Sequence, residues 1–292
     1  MKGGGSEGGS EGVLRLHPLW GCFGNVRIII IFFDAWRYSN IMDTLSNNRL
    51  KSLAAYRQQK NCEADGLFVV EGVKMAGEAL RSGWTIRTLC ATSEALTALR
   101  DVDIRAGELY QASPEQIDRL SSLRTPQGIW MLVERERPLE ASQSRSDDFI
   151  LMLDGIQDPG NMGTILRTAD WFGVRMVICS QGTVSCYNPK VVQASMGAIF
   201  RTRVIYCDLA ETITQYAAEG YTAYGAMLDG DDAFASPKVK PSLLVIGNEG
   251  HGISEEVSAV VGHRLTIPNI GGTCESLNAA VATAILMSEF YR

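Results

Sequence analysis

Residues 243–254 read LLVIGNEGHGIS and residues 265–290 read LTIPNIGGTCESLNAAVATAILMSEF, the two most informative segments of the sequence. Two short apolar runs, 243–247 and 265–268, are typical of buried strands, and each leads into a loop rich in glycine and small polar residues. The second loop opens a helix that has almost no polar face. Because open α/β sheets bind ligands where their strands end, this stretch is predicted to hold the functional site.

Strands and helices alternate regularly from residue 149 onward. Apolar runs at 149–153, 175–179, 203–207, 222–226, 243–247 and 265–268 alternate with helical patterns near 163–172, 189–197, 209–219, 255–260 and 277–290. This alternation predicts a parallel sheet covered by helices on both faces. The fold class is therefore α/β.

A smaller α/β unit precedes it. A basic helix is expected at 48–60, strands at 67–71, 86–91 and 129–133, and helices near 74–82 and 94–100. Ser113-Pro114 predicts the start of a further helix, since serine caps a helix and proline fits its first position.

These patterns predict two domains, 42–137 and 149–292. Residues 138–148 (PLEASQSRSDD) are polar and aperiodic, so we interpret them as the linker. Residues 1–41 open with Gly/Ser/Glu low complexity and are interpreted as a disordered extension or a tag, with Met42 as a possible natural start.

Composition excludes several classes of protein. A hydrophobic content of 46% with 21% charged residues is that of a globular protein, and the apolar run near the start, 28–33, is too short to cross a membrane. Seven cysteines without a CxxC pair and only three histidines favour reduced thiols and no metal site. We expect a cytoplasmic protein.

The distribution of charge is compatible with nucleic-acid binding, although the net charge is −6. Residues 42–137 carry 13 basic and 13 acidic residues, and the segment 49–60 carries four basic residues and no acid. This stripe, formed by Arg49, Lys51, Arg57 and Lys60, can contact RNA phosphates. The alternative, favoured when the stripe is considered by itself, is a solvated helix face.

The segment DPGNMGTILR (158–167) follows the first strand of the larger unit. On a helical wheel its apolar residues fall on one side and Arg167 lies nearly opposite, where a guanidinium can hold a phosphate or an alkoxide. On spacing alone an ordinary surface arginine is favoured. Trp171, one turn along, could stack on a base, but burial at a subunit contact is favoured.

The two glycine loops supply the remaining candidates. Gly247 allows backbone to approach a ligand closely, and Glu249 could pair with Arg167 or fix its loop. His251 is a possible general base, although a filler role is favoured. Ser276 is predicted to cap the last helix, with a cap alone as the alternative to a functional role. Asn278 lies at the start of a helix that is predicted to be buried, where a polar side chain needs hydrogen-bond partners, and a substrate could supply them. The alternative is that Asn278 is merely polar filler.

Three blocks resemble, in order, the three motifs of the SpoU/TrmH family of RNA ribose 2′-O-methyltransferases. They are GNMGTILRTADWFG (160–173), IGNEGHGIS (246–254) and IPNIGGTCESLNAAVATAI (267–285). In addition, FVVEGVKMAGEAL (68–80) and TPQGIW (125–130) resemble that family's accessory substrate-binding domain. The resemblance extends from Ser46 to the C-terminus.

The resemblance implies a SPOUT-type α/β fold with a deep trefoil knot, which no periodicity could have predicted. It implies a homodimer with the site near its interface, RNA as the substrate, and ribosomal RNA rather than transfer RNA. It also implies S-adenosylmethionine as cofactor among the knot loops. By motif position the cofactor-binding residues are Gly247, Ile267 and Leu277, and the catalytic positions are Asn161, Arg167, Glu249, Ser276 and Asn278.

Arg167 would act as a cation. Arginine stays protonated in proteins, so we expect it to hold a phosphate and stabilise developing negative charge rather than to accept a proton. Two alternatives remain open. The chain could methylate a transfer-RNA ribose or a base nitrogen, or it could be a non-catalytic RNA-binding or ribosome-assembly protein.

Overall fold

Two sheets organise the chain, and the computed structural model describes them over residues 42–136 and 148–292. The extension predicted at 1–41 and nearly all of the linker predicted at 138–148 lie outside the described residues. The domain division itself stays a prediction.

The first sheet has five strands in the order β1-β4-β3-β5-β2. Its strands are β1 (Asp43–Thr44), β2 (Leu67–Glu71), β3 (Ile86–Ala91), β4 (Glu108–Gln111) and β5 (Ile129–Glu134). Its helices are α1 (Asn47–Ala54), α2 (Gln59–Ala64), α3 (Val73–Arg81), α4 (Ser93–Ala98) and α5 (Pro114–Leu120). Strand β5 runs antiparallel to both β2 and β3, and β2 forms an edge of the sheet.

Local sequence explains some of these elements and not others. Ser113 forms a full capping box with Gln116, so the predicted start of α5 is confirmed. Strand β4 was not predicted, because its residues ELYQ are only partly buried and show no apolar run.

The single basic helix predicted at 48–60 is wrong. Helix α1 ends at Ala54, a 3₁₀ turn covers Ala55–Arg57, and Gln58 is extended with φ −89° and ψ 117° before α2 begins. The Asn61 amide stabilises the break by donating to the Ala55 carbonyl at 2.6 Å. The basic stripe is therefore split between separate helical segments.

The second sheet has six parallel strands in the order β11-β9-β10-β6-β7-β8. Its strands are β6 (Phe149–Leu153), β7 (Met176–Cys179), β8 (Arg203–Tyr206), β9 (Thr222–Asp232), β10 (Ser242–Ile246) and β11 (His263–Thr266). Its helices are α6 (Pro159–Trp171), α7 (Pro189–Ser195), α8 (Leu209–Ala218), α9 (Glu255–Val260) and α10 (Ala279–Phe290). The predicted α/β class and parallel sheet are confirmed, and the knotted path stays a prediction.

Strand β9 is longer than the 222–226 predicted for it. Its second half, which includes the polar LDGDD, pairs with β11 after an irregularity in register between Arg264 and Leu265. A segment with three aspartates and a glycine gives no strand signal, so only the pairing with β11 reveals this extension.

The register brings the carboxyl ends of neighbouring strands to one edge of the sheet. Leu153 of β6 lies opposite both Ile246 of β10 and Cys179 of β7. Helix α10 packs against α6 on one face of the sheet. It was expected to be buried all round, but Val281 is 48% exposed, so one side of α10 is open.

The described residues also bear on the expectations for cysteines, membrane spans and metal sites. Six cysteines in the described part are free thiols. No helix among the described residues is long and apolar enough to span a membrane, and no metal-ligating cluster occurs among them.

Candidate active site

The loop after β10 closes on itself through Gly247. A β-carbon at this position would lie 2.2 Å from the carbonyl carbon of Gly252, so only glycine fits without moving the backbone. Asn248 and Gly252 exchange two backbone hydrogen bonds of 2.8 and 2.9 Å across the loop. The close approach expected at Gly247 is therefore to its own loop.

Asn248 anchors this loop to the end of β6. Its Nδ2 donates to the Gly155 carbonyl at 2.7 Å, while its Oδ1 accepts from the backbone N–H groups of Gly250 and His251. Asp154, which is buried, accepts from the Ser254 N–H at 2.8 Å. Neither Asn248 nor Asp154 was singled out from the sequence, although an asparagine directly after a strand and before a glycine is a turn signal.

The loop between β11 and α10 depends on Asn269. Its Oδ1 accepts from the N–H groups of Gly271 at 3.1 Å and Gly272 at 2.6 Å, and its Nδ2 donates to the carbonyls of Gly272 and Cys274. Gly271 has a φ of 106°, which a side chain would strain. Asn269 was also missed, because an asparagine before glycines has many possible roles.

Ser276 does not cap the last helix, contrary to the prediction. Helix α10 begins at Ala279, and its N-cap is Asn278, whose Oδ1 accepts from the N–H groups of Ala280 and Val281 at 3.0 and 3.3 Å. Both residue types are good caps, so sequence preference could not separate them. Ser276 lies exposed in the loop.

One hydrogen-bonded chain joins residues from all three motif blocks, 160–173, 246–254 and 267–285. Asn161 donates through Nδ2 to Glu249 at 2.5 Å and accepts through Oδ1 from the Nδ2 of Asn278 at 2.8 Å. Asn161 sits in the first turn of α6, where its N–H donates to the capping carboxylate of Asp158 at 2.7 Å. The pairing of Glu249 with Arg167, one of the two roles expected for it, does not occur among the ion pairs of residues 42–136 and 148–292; Glu249 bonds to Asn161 instead, which ties its loop to helix α6.

Arg167 and Trp171 share the open side of α6. Met162, Ile165 and Leu166 are buried, as the helical wheel predicts, and Arg167 is exposed. Within residues 42–136 and 148–292 no carboxylate forms an ion pair with Arg167, and Trp171 is 86% exposed. Arg167 thus presents an uncompensated guanidinium on the helix that carries Asn161.

The structure therefore groups three of the five predicted catalytic residues by direct contact. Asn161 is hydrogen-bonded to both Glu249 and Asn278, whereas Arg167 and Ser276 lie outside that chain. His251 is exposed in the loop after β10 and is held through its backbone. Burial raises the pKa of the Cys90 and Cys186 thiols to about 12, so neither is poised as a thiolate nucleophile.

The predicted RNA-binding stripe is less uniform than its charges suggest. The Arg49 guanidinium is bonded to Glu108, which also accepts from the Thr88 hydroxyl at 2.9 Å. Lys51, Arg57 and Lys60 are exposed. Only these three have side chains free to reach a phosphate.

Two family models and several solved structures match this chain. The SpoU rRNA Methylase family matches residues 148–288, and the MRM3-like substrate binding domain matches residues 47–130. A putative RNA methyltransferase of the TrmH family from Porphyromonas gingivalis is 40% identical, with a TM-score of 0.76 over 85% of this chain and 98% of that one. The chain belongs to the SpoU/TrmH family of RNA methyltransferases.

Two further relatives extend the similarity over both sheets. The AdoMet-bound rRNA methyltransferase from Sinorhizobium meliloti is 28% identical, with a TM-score of 0.72 over 85% of this chain and 95% of that one. The Bacillus subtilis 23S rRNA (guanosine(2553)-2'-O)-methyltransferase RlmP is 28% identical over 248 residues, which are 84% of this chain and 97% of that protein.

SpoU methyltransferases use S-adenosylmethionine, and the residues at the loop edge of this sheet fit it. Gly247 and Ile267 are half-buried at the ends of β10 and β11, while Ile270 and Leu277 are 95% and 48% exposed. Exposed apolar side chains can contact the flat faces of the cofactor's adenine, and the neighbouring loop backbone can hydrogen-bond to the polar atoms at its edge. These positions belong to the family's motifs, and their individual contacts stay predictions.

Proposed function

We propose that this SpoU/TrmH methyltransferase transfers a methyl group from S-adenosylmethionine to a ribose 2′-oxygen of ribosomal RNA. The observation that carries the proposal is the hydrogen-bonded chain Asn278–Asn161–Glu249. It ties the two glycine loops to the helix bearing Arg167, so that a cofactor held in the loops and a ribose held by Arg167 would share one site.

When bound, the cofactor would supply a methyl group that its sulfonium already activates. The chain's own residues then have to align the acceptor and stabilise charge. In the proposal the exposed Arg167 guanidinium binds the phosphate next to the target ribose and stabilises negative charge as it develops on the 2′-oxygen. Asn278 and Ser276 orient the ribose, and Glu249 holds its loop against Asn161.

Ribosomal RNA is the proposed substrate class on two grounds. The relatives from B. subtilis and S. meliloti are described as rRNA methyltransferases. The first sheet matches a substrate-binding domain, and Lys51, Arg57 and Lys60 are exposed on it. A substrate of this kind also supports a cytoplasmic location, where ribosomes assemble.

A homodimer completes the proposal. Trp171 on α6 and Val281 on α10 are 86% and 48% exposed, and the two helices pack against each other. Large apolar side chains left exposed on neighbouring helices are typical of subunit interfaces. A second copy bound there would lie next to Arg167, one turn before Trp171.

Ribose-methylation mapping tests the substrate. Total RNA from cells with and without the gene is mapped at nucleotide resolution, and we expect one ribosomal RNA ribose to lose its methyl group in the deletion. Loss at a transfer-RNA ribose or a base nitrogen would support the alternative enzymes. Unchanged RNA, together with no S-adenosylmethionine binding by calorimetry, would support a non-catalytic protein.

A further inference from the structure

The two sheets meet at a seam built from four aromatic rings, two from each side. Phe68 of β2 lies 4.9 Å from Tyr187 and 6.2 Å from Phe200, and Trp84 lies 5.6 Å from Phe200 in an edge-to-face arrangement. Phe68 is fully buried, and one hydrophobic core cluster runs continuously from the first sheet into the second. Edge strand β2 is therefore covered by helix α7 of the second sheet.

The other side of the seam is open. A cleft of about 460 Å³ separates residues 82–85 and 134–136 from residues 199–203. Trp84 and Phe200 of the aromatic seam line this cleft, so its polar rim lies directly beside the ring contacts. A polar link also joins the two units beside the cleft.

Arg201 makes that link. Its guanidinium donates to both oxygens of Asp170 at 2.9 to 3.1 Å and, through Nη1, to Glu78 at 2.5 Å. Asp170 lies on α6, three residues beyond Arg167, whereas Glu78 lies on α3 of the first unit. One planar side chain therefore bonds the catalytic helix to the substrate-binding unit, and its fork of donors fixes direction as well as distance.

Gly197 packs against the same carboxylate side chain. It has a φ of 95°, and a β-carbon there would lie 2.7 Å from Cγ of Glu78. A larger residue would displace Glu78 from Arg201. Two unrelated features, a guanidinium fork and a glycine contact, thus depend on the position of Glu78.

We propose that Arg201 is a positioning residue for RNA methylation: through Asp170 and Glu78 it holds the substrate-binding unit at a fixed distance and angle from helix α6. The seam then fixes the distance between the RNA-binding surface of the first unit and the ribose that is methylated beside α6. This inference rests on the proposed function, since it assigns the first unit to RNA and α6 to the reaction.

The test compares two pairs of variants. Glu78→Gln weakens the link across the seam, and Asp229→Asn is its control, because Asp229 pairs with Arg264 at 2.7 Å within the second sheet and does not line the cleft. Gly197→Ala adds a methyl group against Glu78. Gly220→Ala is its control, because Gly220 has a similar φ of 92° and nothing within 4 Å of its added carbon.

Hydrogen exchange of the cofactor-free protein reports the seam without any catalysis. We expect Glu78→Gln and Gly197→Ala to speed exchange of peptides covering 198–203 roughly two- to fivefold, the size expected for loss of a partly exposed ion pair. The control variants should leave exchange in that segment unchanged. Exchange in Glu78→Gln and Gly197→Ala equal to that of the wild type would overturn the proposal.

Methylation of a long ribosomal RNA fragment tests whether the seam sets the position and the rate of methyl transfer. We expect both seam variants to methylate neighbouring riboses or to lose roughly three- to tenfold in kcat/KM, with an unchanged Kd for S-adenosylmethionine. Faster exchange with an unchanged methylation site and rate would overturn the positioning role. No methylation by the wild type would instead refute the proposed function, and the exchange data would still report on the seam.

Discussion

The glycine loops after β10 and β11 and the basic stripe near the N-terminal end of the first sheet were both candidates from sequence, but folding treats them differently. In the loops, residues 88 and 117 positions apart become hydrogen-bonded neighbours through Asn161. In the stripe, neighbouring residues diverge, since the helix breaks at Gln58 and Arg49 is bonded to Glu108.

The difference lies in what each pattern requires of the fold. An asparagine or glutamate near a helix mouth needs specific partners, and a glycine at Gly247 tolerates nothing larger. A lysine or arginine needs only water, so a run of basic residues constrains its surroundings weakly. Residues whose chemistry demands partners are therefore the better guide to a site.

The largest effect is expected for Arg167→Ala. Removing the guanidinium should lower the methylation rate about 10²–10³-fold, because it removes the charge that stabilises the transition state, while S-adenosylmethionine binding stays intact. Single-turnover methylation with calorimetry checks both. Arg175→Ala is the control, an exposed arginine at the amino end of the same sheet. Equal loss in both variants would mean that Arg167 has no special role.

Gly247→Ala sharpens the account of the loops. Its β-carbon would lie 2.2 Å from the Gly252 carbonyl carbon, so the loop must open and the Kd for S-adenosylmethionine should rise at least about tenfold. Gly250→Ala is the control, because its nearest contact would be the Asn248 Oδ1 at 3.5 Å. Calorimetric titration showing the same affinity for both variants would break the link between loop closure and cofactor binding.

Asn278 allows capping to be separated from catalysis. Asn278→Ala should lower the free energy of unfolding by about 1 kcal/mol through loss of the cap, whereas Asn278→Asp keeps the capping oxygen. Both variants remove the donor to Asn161, so both should lose methylation, by roughly tenfold.

Ser276→Ala completes that comparison. Because Ser276 is not the cap, its removal should change the free energy of unfolding by no more than about 0.5 kcal/mol. Urea denaturation of the three variants measures these effects. A loss of stability at Ser276 matching that of Asn278→Ala would contradict the position of the helix start.

The smallest effects are expected in the stripe. Lys51→Ala, Arg57→Ala and Lys60→Ala should each weaken RNA binding roughly two- to threefold and reduce the salt dependence of binding. Arg49→Ala should instead lower the free energy of unfolding by up to about 1 kcal/mol, since it removes the ion-pair partner of Glu108 and leaves only the Thr88 hydroxyl bonded to it. RNA-binding titrations at several salt concentrations measure these effects. An equal loss of RNA affinity in all four variants would mean that the stripe binds RNA as a single surface.

Periodicity sufficed for the parallel sheet but not for every boundary. Apolar runs such as 149–153 match β6 because a strand buried on both faces must be apolar throughout. Strand β4 and the second half of β9 are polar and only pairing reveals them. The candidate site residues were predicted from family motifs, but the bonds of Asn161 to both Glu249 and Asn278 were not, because these residues come together only in the folded chain.

Ribose methylation by these loops and Arg167 can be measured by incubating the protein with ribosomal RNA and methyl-labelled S-adenosylmethionine, then hydrolysing the product in alkali. A 2′-O-methyl group protects the adjacent phosphodiester, so we expect label in an alkali-resistant dinucleotide and almost none with Arg167→Ala. Label released in a base-methylated mononucleotide, or undiminished transfer by Arg167→Ala, would contradict it.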